Sequence, residues 1–225
     1  CARLLGHDSD EEVTYAAVVE FIHSATLIHD DIIDSAPVRR GRPSMHELAG
    51  NHRTVLLGDW IYTRAMQMAL EHGRVEVIRS LGRATLAMTE GELLALDRLG
   101  APDLTIDEYY GIIERKTAAL FAAACSIPAL IAPARPEAGT ALERFGHELG
   151  LCFQGVDDLL DFKARESELG KPVLSDLREG KLTLPLLMIL PRLRPEERRK
   201  IDLVLEDRSF ARASQDEAQQ IRRAA

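Results

Sequence analysis

Two short aspartate clusters are the residues in this chain whose types and spacing most clearly suggest chemistry. His29-Asp30-Asp31-Ile32-Ile33-Asp34 sets Asp30 and Asp34 four residues apart, and Asp157-Asp158-Leu159-Leu160-Asp161 repeats that spacing far along the chain. On a helix this spacing stacks two side chains on one face, one turn apart. Each cluster lies near the end of an apolar run, Ala25 to Ile28 in the first case and Gly150 to Val156 in the second. Two unit charges ~4 Å apart near a protein surface repel by about 4 kcal/mol, so a cation is expected between the clusters. Carboxylates without His or Cys at ligand spacing suit a hard ion, and Mg²⁺ is typically held by one or two carboxylates plus substrate phosphates. That points to a diphosphate ligand. A solvated acidic surface would explain one cluster as well as metal binding does; two clusters in apolar settings, each followed by basic residues, favour the metal. An EF-hand is disfavoured, because Asp30 to Gly41 lacks its alternating acidic pattern and central glycine.

The basic residues follow a matching order. Arg39-Arg40-Gly41 follows the first cluster by one short turn, Lys171 and Lys181 flank the connector after the second, and Lys116-Thr117 lies between them. Arginine forks and lysine point charges are the groups expected around phosphate oxygens.

Helices must position these groups. Apolar residues recur at helical spacing almost throughout and strand-like alternation is rare, so the fold class predicted is all-α, a many-helix bundle without a sheet. A long first helix is expected over Glu11 to Asp34, then helices over Arg53 to Glu71 and Val75 to Leu99. Thr105 and Glu108 have the form of a capping box, opening a helix that should break near Pro128, so that Ala118 to Ala132 reads as a buried helix pair. A further long helix is expected over Ala138 to Phe162, then a polar connector through Lys181 and shorter helices.

In its 225 residues the chain is 46% hydrophobic with a formal charge of −8, enough to bury a core and contrary to general nucleic-acid binding. With no linker or repeat in view, one domain over residues 1–225 is expected. Cys1, Cys125 and Cys152 are too scattered for a disulfide or zinc framework and suggest a reducing cytoplasm, Cys125 and Cys152 being read as small buried hydrophobes. No apolar stretch reaches the ~20 residues of a membrane span.

Taken together, His23-Ser24-Ala25-Thr26-Leu27-Ile28-His29-Asp30-Asp31, Arg39-Arg40-Gly41-Arg42-Pro43, Gly58-Asp59, Glu114-Arg115-Lys116-Thr117-Ala118, Phe153-Gln154 through Asp161, and Gly180-Lys181-Leu182-Thr183-Leu184-Pro185 resemble the trans-isoprenyl diphosphate synthases, the polyprenyl synthetase family. The resemblance runs from about Phe21 to Pro185. It implies the isoprenoid synthase fold, a helical bundle around a central cavity, and a prenyltransferase that joins isopentenyl diphosphate to an allylic primer such as geranyl or farnesyl diphosphate or longer. It implies that Asp30, Asp34 and Asp157 bind three Mg²⁺ ions bridging to the allylic diphosphate, with Asp31, Asp158 and Asp161 supporting through waters. By the same resemblance Arg39, Lys116, Lys171 and Lys181 hold that diphosphate, His23 and Arg40 bind isopentenyl diphosphate, and Thr117 and Gln154 shield the developing carbocation. A homodimer is also implied.

Two departures stand out. Family members carry a Gly-Lys-Arg-x-Arg-Pro segment ahead of the first helix that this chain lacks, and Leu174 stands where glycine is common; N- and C-terminal segments are thus expected to be missing. Ile22, Ala25 and Thr26 precede Asp30 by one to two turns and are expected to line the product cavity. Ala25 and Thr26 are small where short-chain members place an aromatic plug, so a medium- or long-chain all-trans product is expected. A terpene cyclase or head-to-head coupling enzyme fits the aspartates, but Arg39-Arg40-Gly41 and Gly180-Lys181 weigh against both. The catalytic subunit of a heteromeric synthase is a further alternative; a non-catalytic subunit would commonly lose one cluster, and this chain keeps both.

Overall fold

The computed structural model describes residues 1–39, 41–163 and 175–206. Arg40, Lys171 and Leu174, singled out above, lie outside them. The architecture is all-α, as the periodicity predicts. Helix α1 (Asp10–Ile33) starts with Asp10, Glu11 and Glu12 in its first turn, where carboxylates favour the helix dipole. It stops just short of Ser35, whose φ of 50° turns the chain out of the helix.

The expectation of no sheet is corrected by a small antiparallel ribbon, β1 (Val38–Arg39) paired with β2 (Arg42–Pro43) in the register Val38 to Pro43 and Arg39 to Arg42. Gly41, at φ 75°, supplies a left-handed residue in its tight link. Helices α2 (Met45–Ala49), α3 (Asn51–Glu71) and α4 (Val75–Asp97) follow.

The capping box is present: Glu108 N–H donates to Thr105 Oγ1 at 3.2 Å and Thr105 N–H to the Glu108 carboxylate at 2.8 Å, opening α5 (Ile106–Ile113). The helix then widens into a π-turn over Glu114–Ala118 before continuing as α6 (Ala119–Ile131). The predicted break at Pro128 does not occur, and the segment is one helix and not a pair. Pro128 removes a single donor near the end of α6, and the helix runs three residues past it. Helix α7 (Pro136–Lys163) is longer than expected by a few residues. After the connector come α8 (Ser175–Arg178), α9 (Leu184–Ile189) and α10 (Pro195–Glu206).

Contacts group the chain into two compact units, Cys1–Thr89 with Thr117–Gly150, and Glu90–Lys116 with Leu151–Ala225. The chain passes from one to the other inside α4, the π-turn and α7, which is why no linker shows in the composition. In the first unit Tyr15, Val18 and Ile22 of α1 pack with Ala65 and Ala69 of α3, Val77 and Leu81 of α4, and Leu120, Ile127 and Ile131 of α6. In the second, Tyr109 and Ile113 of α5 pack with Leu177, Leu182, Leu186, Leu187, Leu190, Ile201 and Leu205. All three cysteines are free thiols. Cys125 is half-buried, but Cys152 is exposed on α7, so its reading as a buried hydrophobe is corrected. No helix among the described residues is long and apolar enough to cross a membrane.

Candidate active site

In the first unit, α1 presents Asp30 and Asp34, both half-buried, and turns Asp31 inward, where it is 4% exposed. The β1–β2 ribbon folds back so that Arg39 Nε donates to Asp31 Oδ1 at 2.5 Å. A predicted diphosphate-binding arginine is thus anchored by a carboxylate of the first cluster. The turn carrying Asp30 is tied to α3 through His29, whose Nε2–H donates to the Val55 carbonyl at 3.1 Å and lies 3.4 Å from Asp59. Gly58 makes this approach possible, since a Cβ there would overlap the imidazole of His29. His23 and Thr26, a turn or two earlier, are half-buried, and the Thr26 hydroxyl donates to the His23 carbonyl at 2.8 Å. Ile22 is fully buried in the core and Ala25 is 2% exposed. Thr117, also in this unit, is half-buried at the end of the π-turn.

In the second unit the three aspartates of α7 sit in different environments. Asp157 is exposed, whereas Asp158 and Asp161 are each 3% exposed and bonded within the protein. Tyr109 of α5 donates its hydroxyl to Asp158 Oδ2 at 2.5 Å, and Gln154 Nε2 donates to Asp158 Oδ1 at 2.8 Å. Burial pushes the Asp158 carboxyl above its ordinary range, and the bonds from Tyr109, Gln154 and the Leu184 backbone N–H oppose that rise. Tyr109 in turn is raised far above an ordinary phenol, first by burial and then by the Asp158 carboxylate. Asp161 accepts the Ser175 hydroxyl at 2.5 Å and the Asp176 N–H at 3.2 Å.

The two described lysines of this unit that the resemblance assigns to the diphosphate are also held. Lys116 pairs with Glu92 of α4. Its π-turn packs against Gly91, where a Cβ would come within 2.5 Å of the Lys116 nitrogen and 2.8 Å of the Arg115 Cβ. π-Turns inside α-helices recur at functional sites because they re-aim side chains. Lys181 lies 2.8 Å from Glu179, and its N–H donates to the Asp176 carbonyl at 2.8 Å. Gly180 just before it has φ 81°, and its carbonyl accepts the Gly100 N–H at 2.8 Å.

Among the described residues, no three His, Cys, Asp or Glu are gathered closely enough to form a metal site by themselves. The donor set of aspartate oxygens fits a hard divalent cation that takes further oxygens from a phosphate ligand, and does not fit a softer metal.

The polyprenyl synthetase family model matches residues 1–222. This chain belongs to the polyprenyl synthetase family. It is 42% identical over 205 residues to the octaprenyl diphosphate synthase of Escherichia coli K12, covering 91% of this chain and 64% of that protein. Among solved structures it is similar to a polyprenyl synthase from Caulobacter crescentus CB15 complexed with calcium and isoprenyl diphosphate, at a TM-score of 0.93 and 38% identity, covering 99% of this chain and 67% of that one. A decaprenyl diphosphate synthase from Rhodobacter capsulatus matches at a TM-score of 0.91 and 37% identity, covering 99% and 68%. These similarities establish the isoprenoid synthase fold. The chain spans a little under two thirds of the length of the E. coli relative.

Within this family framework, sequence reasoning missed the groups that hold the predicted ones: Tyr109, Ser175, Glu92 and the Gly91 contact. The only available signal was a polar or aromatic residue in an apolar helix context, which core packing explains equally well. Gly58-Asp59 was singled out by resemblance, and the structure supplies its physical reason in His29.

Proposed function

We propose that this chain carries the catalytic machinery of a prenyltransferase that condenses isopentenyl diphosphate with an allylic prenyl diphosphate to give a medium- or long-chain all-trans product. The observation that carries the reading is that both aspartate clusters are retained and each combines open with buried members. Each keeps carboxylates at least partly open to solvent, Asp30 and Asp34 in one and Asp157 in the other, beside buried carboxylates engaged by protein donors. Asp30, Asp34 and Asp157 would hold Mg²⁺, three ions in all with diphosphate bound. Mg²⁺ would supply Lewis-acid stabilisation of the leaving group's oxygens.

The remaining chemistry falls to side chains. Arg39, Lys116 and Lys181, with Lys171, would bind and orient the allylic diphosphate and stabilise its charge as the C–O bond breaks. His23 and Arg40 would hold isopentenyl diphosphate so that its double bond attacks the allylic cation. Thr117 and Gln154 would present oxygen dipoles to that cation while the surrounding apolar side chains keep water away. The new C–C bond leaves a cation that loses a proton to the departing diphosphate, restoring an allylic diphosphate five carbons longer. The long-chain reading rests on the small side chains of Ala25 and Thr26 ahead of Asp30, with Ile22 beside them in the core, and agrees with the names of the octaprenyl and decaprenyl relatives. A cytoplasmic homodimer is part of the proposal; exposed Leu56, Trp60 and Leu70 along α3 give a second copy apolar surface to cover.

Incubation with labelled isopentenyl diphosphate, a primer series and Mg²⁺, then chromatography of the dephosphorylated products, tests it. Products well beyond the primer are expected; no elongation with any primer would overturn the proposal.

A further inference from the structure

Two buried carboxylates of the second cluster are held by protein donors, Asp161 by the start of the segment that carries Lys181 and Asp158 by Tyr109 and Gln154. Asp161 accepts from Ser175 and Asp176 at the start of that segment, and at its end Leu184 packs in the same core cluster as Tyr109, its backbone N–H acting to lower the Asp158 carboxyl. Between these two points the backbone is pinned again, by Lys181 N–H to the Asp176 carbonyl and by Gly100 N–H to the Gly180 carbonyl, each at 2.8 Å. Tyr109, 4% exposed, approaches Asp158 from α5 and closes the arrangement at 2.5 Å. A buried carboxylate is costly unless fully hydrogen-bonded, so each bond constrains the backbone that supplies it.

We infer that Tyr109 and Ser175 are positioning residues, acting through Asp158 and Asp161 to fix the segment from Ser175 to Leu184 and thereby set where Lys181 stands. In this arrangement Asp161 holds the start of the segment to α7, Tyr109 joins Asp158 to the core cluster that contains Leu182, Leu186 and Leu187, and Asp157 alone of the three is exposed to solvent. The Tyr109 hydroxyl gives Asp158 a donor that is not drawn from the segment itself, while its ring packs against the residues that follow Lys181. That Lys181 meets a diphosphate rests on the function proposed above; the pinning of the segment does not.

The test uses Tyr109→Phe and Ser175→Ala in the full chain, with Tyr109→Phe retaining the ring that packs in the core. Two readouts are compared with wild type: amide hydrogen exchange across residues 175–187, and binding of inorganic pyrophosphate in Mg²⁺ by calorimetry. Both variants should keep the wild-type circular dichroism spectrum, exchange faster in that segment with α1 and α3 unchanged, and bind pyrophosphate about 10- to 100-fold more weakly, the usual effect of removing a group that orients a binding residue. Steady-state kinetics should show KM for the allylic primer rising more than kcat falls. Unchanged exchange in the segment would overturn the inference, as would faster exchange with undiminished pyrophosphate binding. A wild-type chain that elongates no primer would remove the proposed function instead, and the exchange comparison would still decide whether Tyr109 and Ser175 pin the segment.

Discussion

Asp30 and Asp157 differ from their buried neighbours in having carboxylates open to solvent at least in part, so removing either should affect chemistry more than folding. Asp30→Ala and Asp157→Ala are each expected to lower turnover by at least about a hundredfold while the thermal midpoint moves little, as measured by product formation and by melting of the same preparations. Near-wild-type turnover in either variant would count against the metal-binding assignment. Glu11 offers a test unrelated to catalysis. Arg74 donates to both of its oxygens, Nε at 3.1 Å and Nη2 at 3.0 Å, and holds the carboxyl below its ordinary value. A depressed carboxyl pKa contributes stability that is present above the unfolded pKa and lost as pH falls through the folded one. Arg74→Ala should therefore melt below wild type at neutral pH, with the two curves converging in acid, below about pH 4, in a pH series of melts.

At the scale of elements, small residues decide how closely helices approach. Gly150 packs on Ala118, where a Cβ would come within 2.6 Å of the Ala118 Cα, and Gly146 meets the Phe121 backbone in the same way. Gly91 plays this part against the π-turn that presents Lys116. Because the Gly91 clash is with backbone, no rotamer change relieves it. Gly91→Ala should cost about 1–3 kcal/mol in denaturant unfolding and also reduce kcat by displacing Lys116. A variant with wild-type kcat would show that the π-turn can shift without consequence. By contrast Gly82 and Gly155 have open space around the missing Cβ, and alanine there should be tolerated.

Across the whole molecule, the chain is built as two compact units with separate cores, each carrying one aspartate cluster, and continuous helices run from one to the other. The proposed activity needs both clusters, so product length reports on the molecule as a unit. Ala25→Phe should shorten the product by adding an aromatic ring ahead of Asp30, with an overpacking cost of about 1–3 kcal/mol because Ala25 is buried. Chromatography of the products checks this, and an unchanged length distribution would contradict the cavity wall proposed at Ala25 and Thr26.

Helix positions, the capping box at Thr105 and both aspartate clusters could be read from the residues alone, because apolar periodicity, cap chemistry and four-residue spacing are local properties of a chain. Pro128 misled for a related reason: its local signal is a break, but near a helix end only one hydrogen bond is lost and the surrounding packing carries α6 onward. Cys152 misled because burial depends on which face of α7 is covered. The unlike environments of Asp157, Asp158 and Asp161, the anchoring of Asp31 by Arg39 and the pairing of Tyr109 with Asp158 were settled only by tertiary contacts. Tyr109 and Asp158 are 49 residues apart in sequence. Nothing in local spacing encodes such a bond; it exists because two helices bury the same polar atoms, and a buried carboxylate must find its donors wherever the fold brings them.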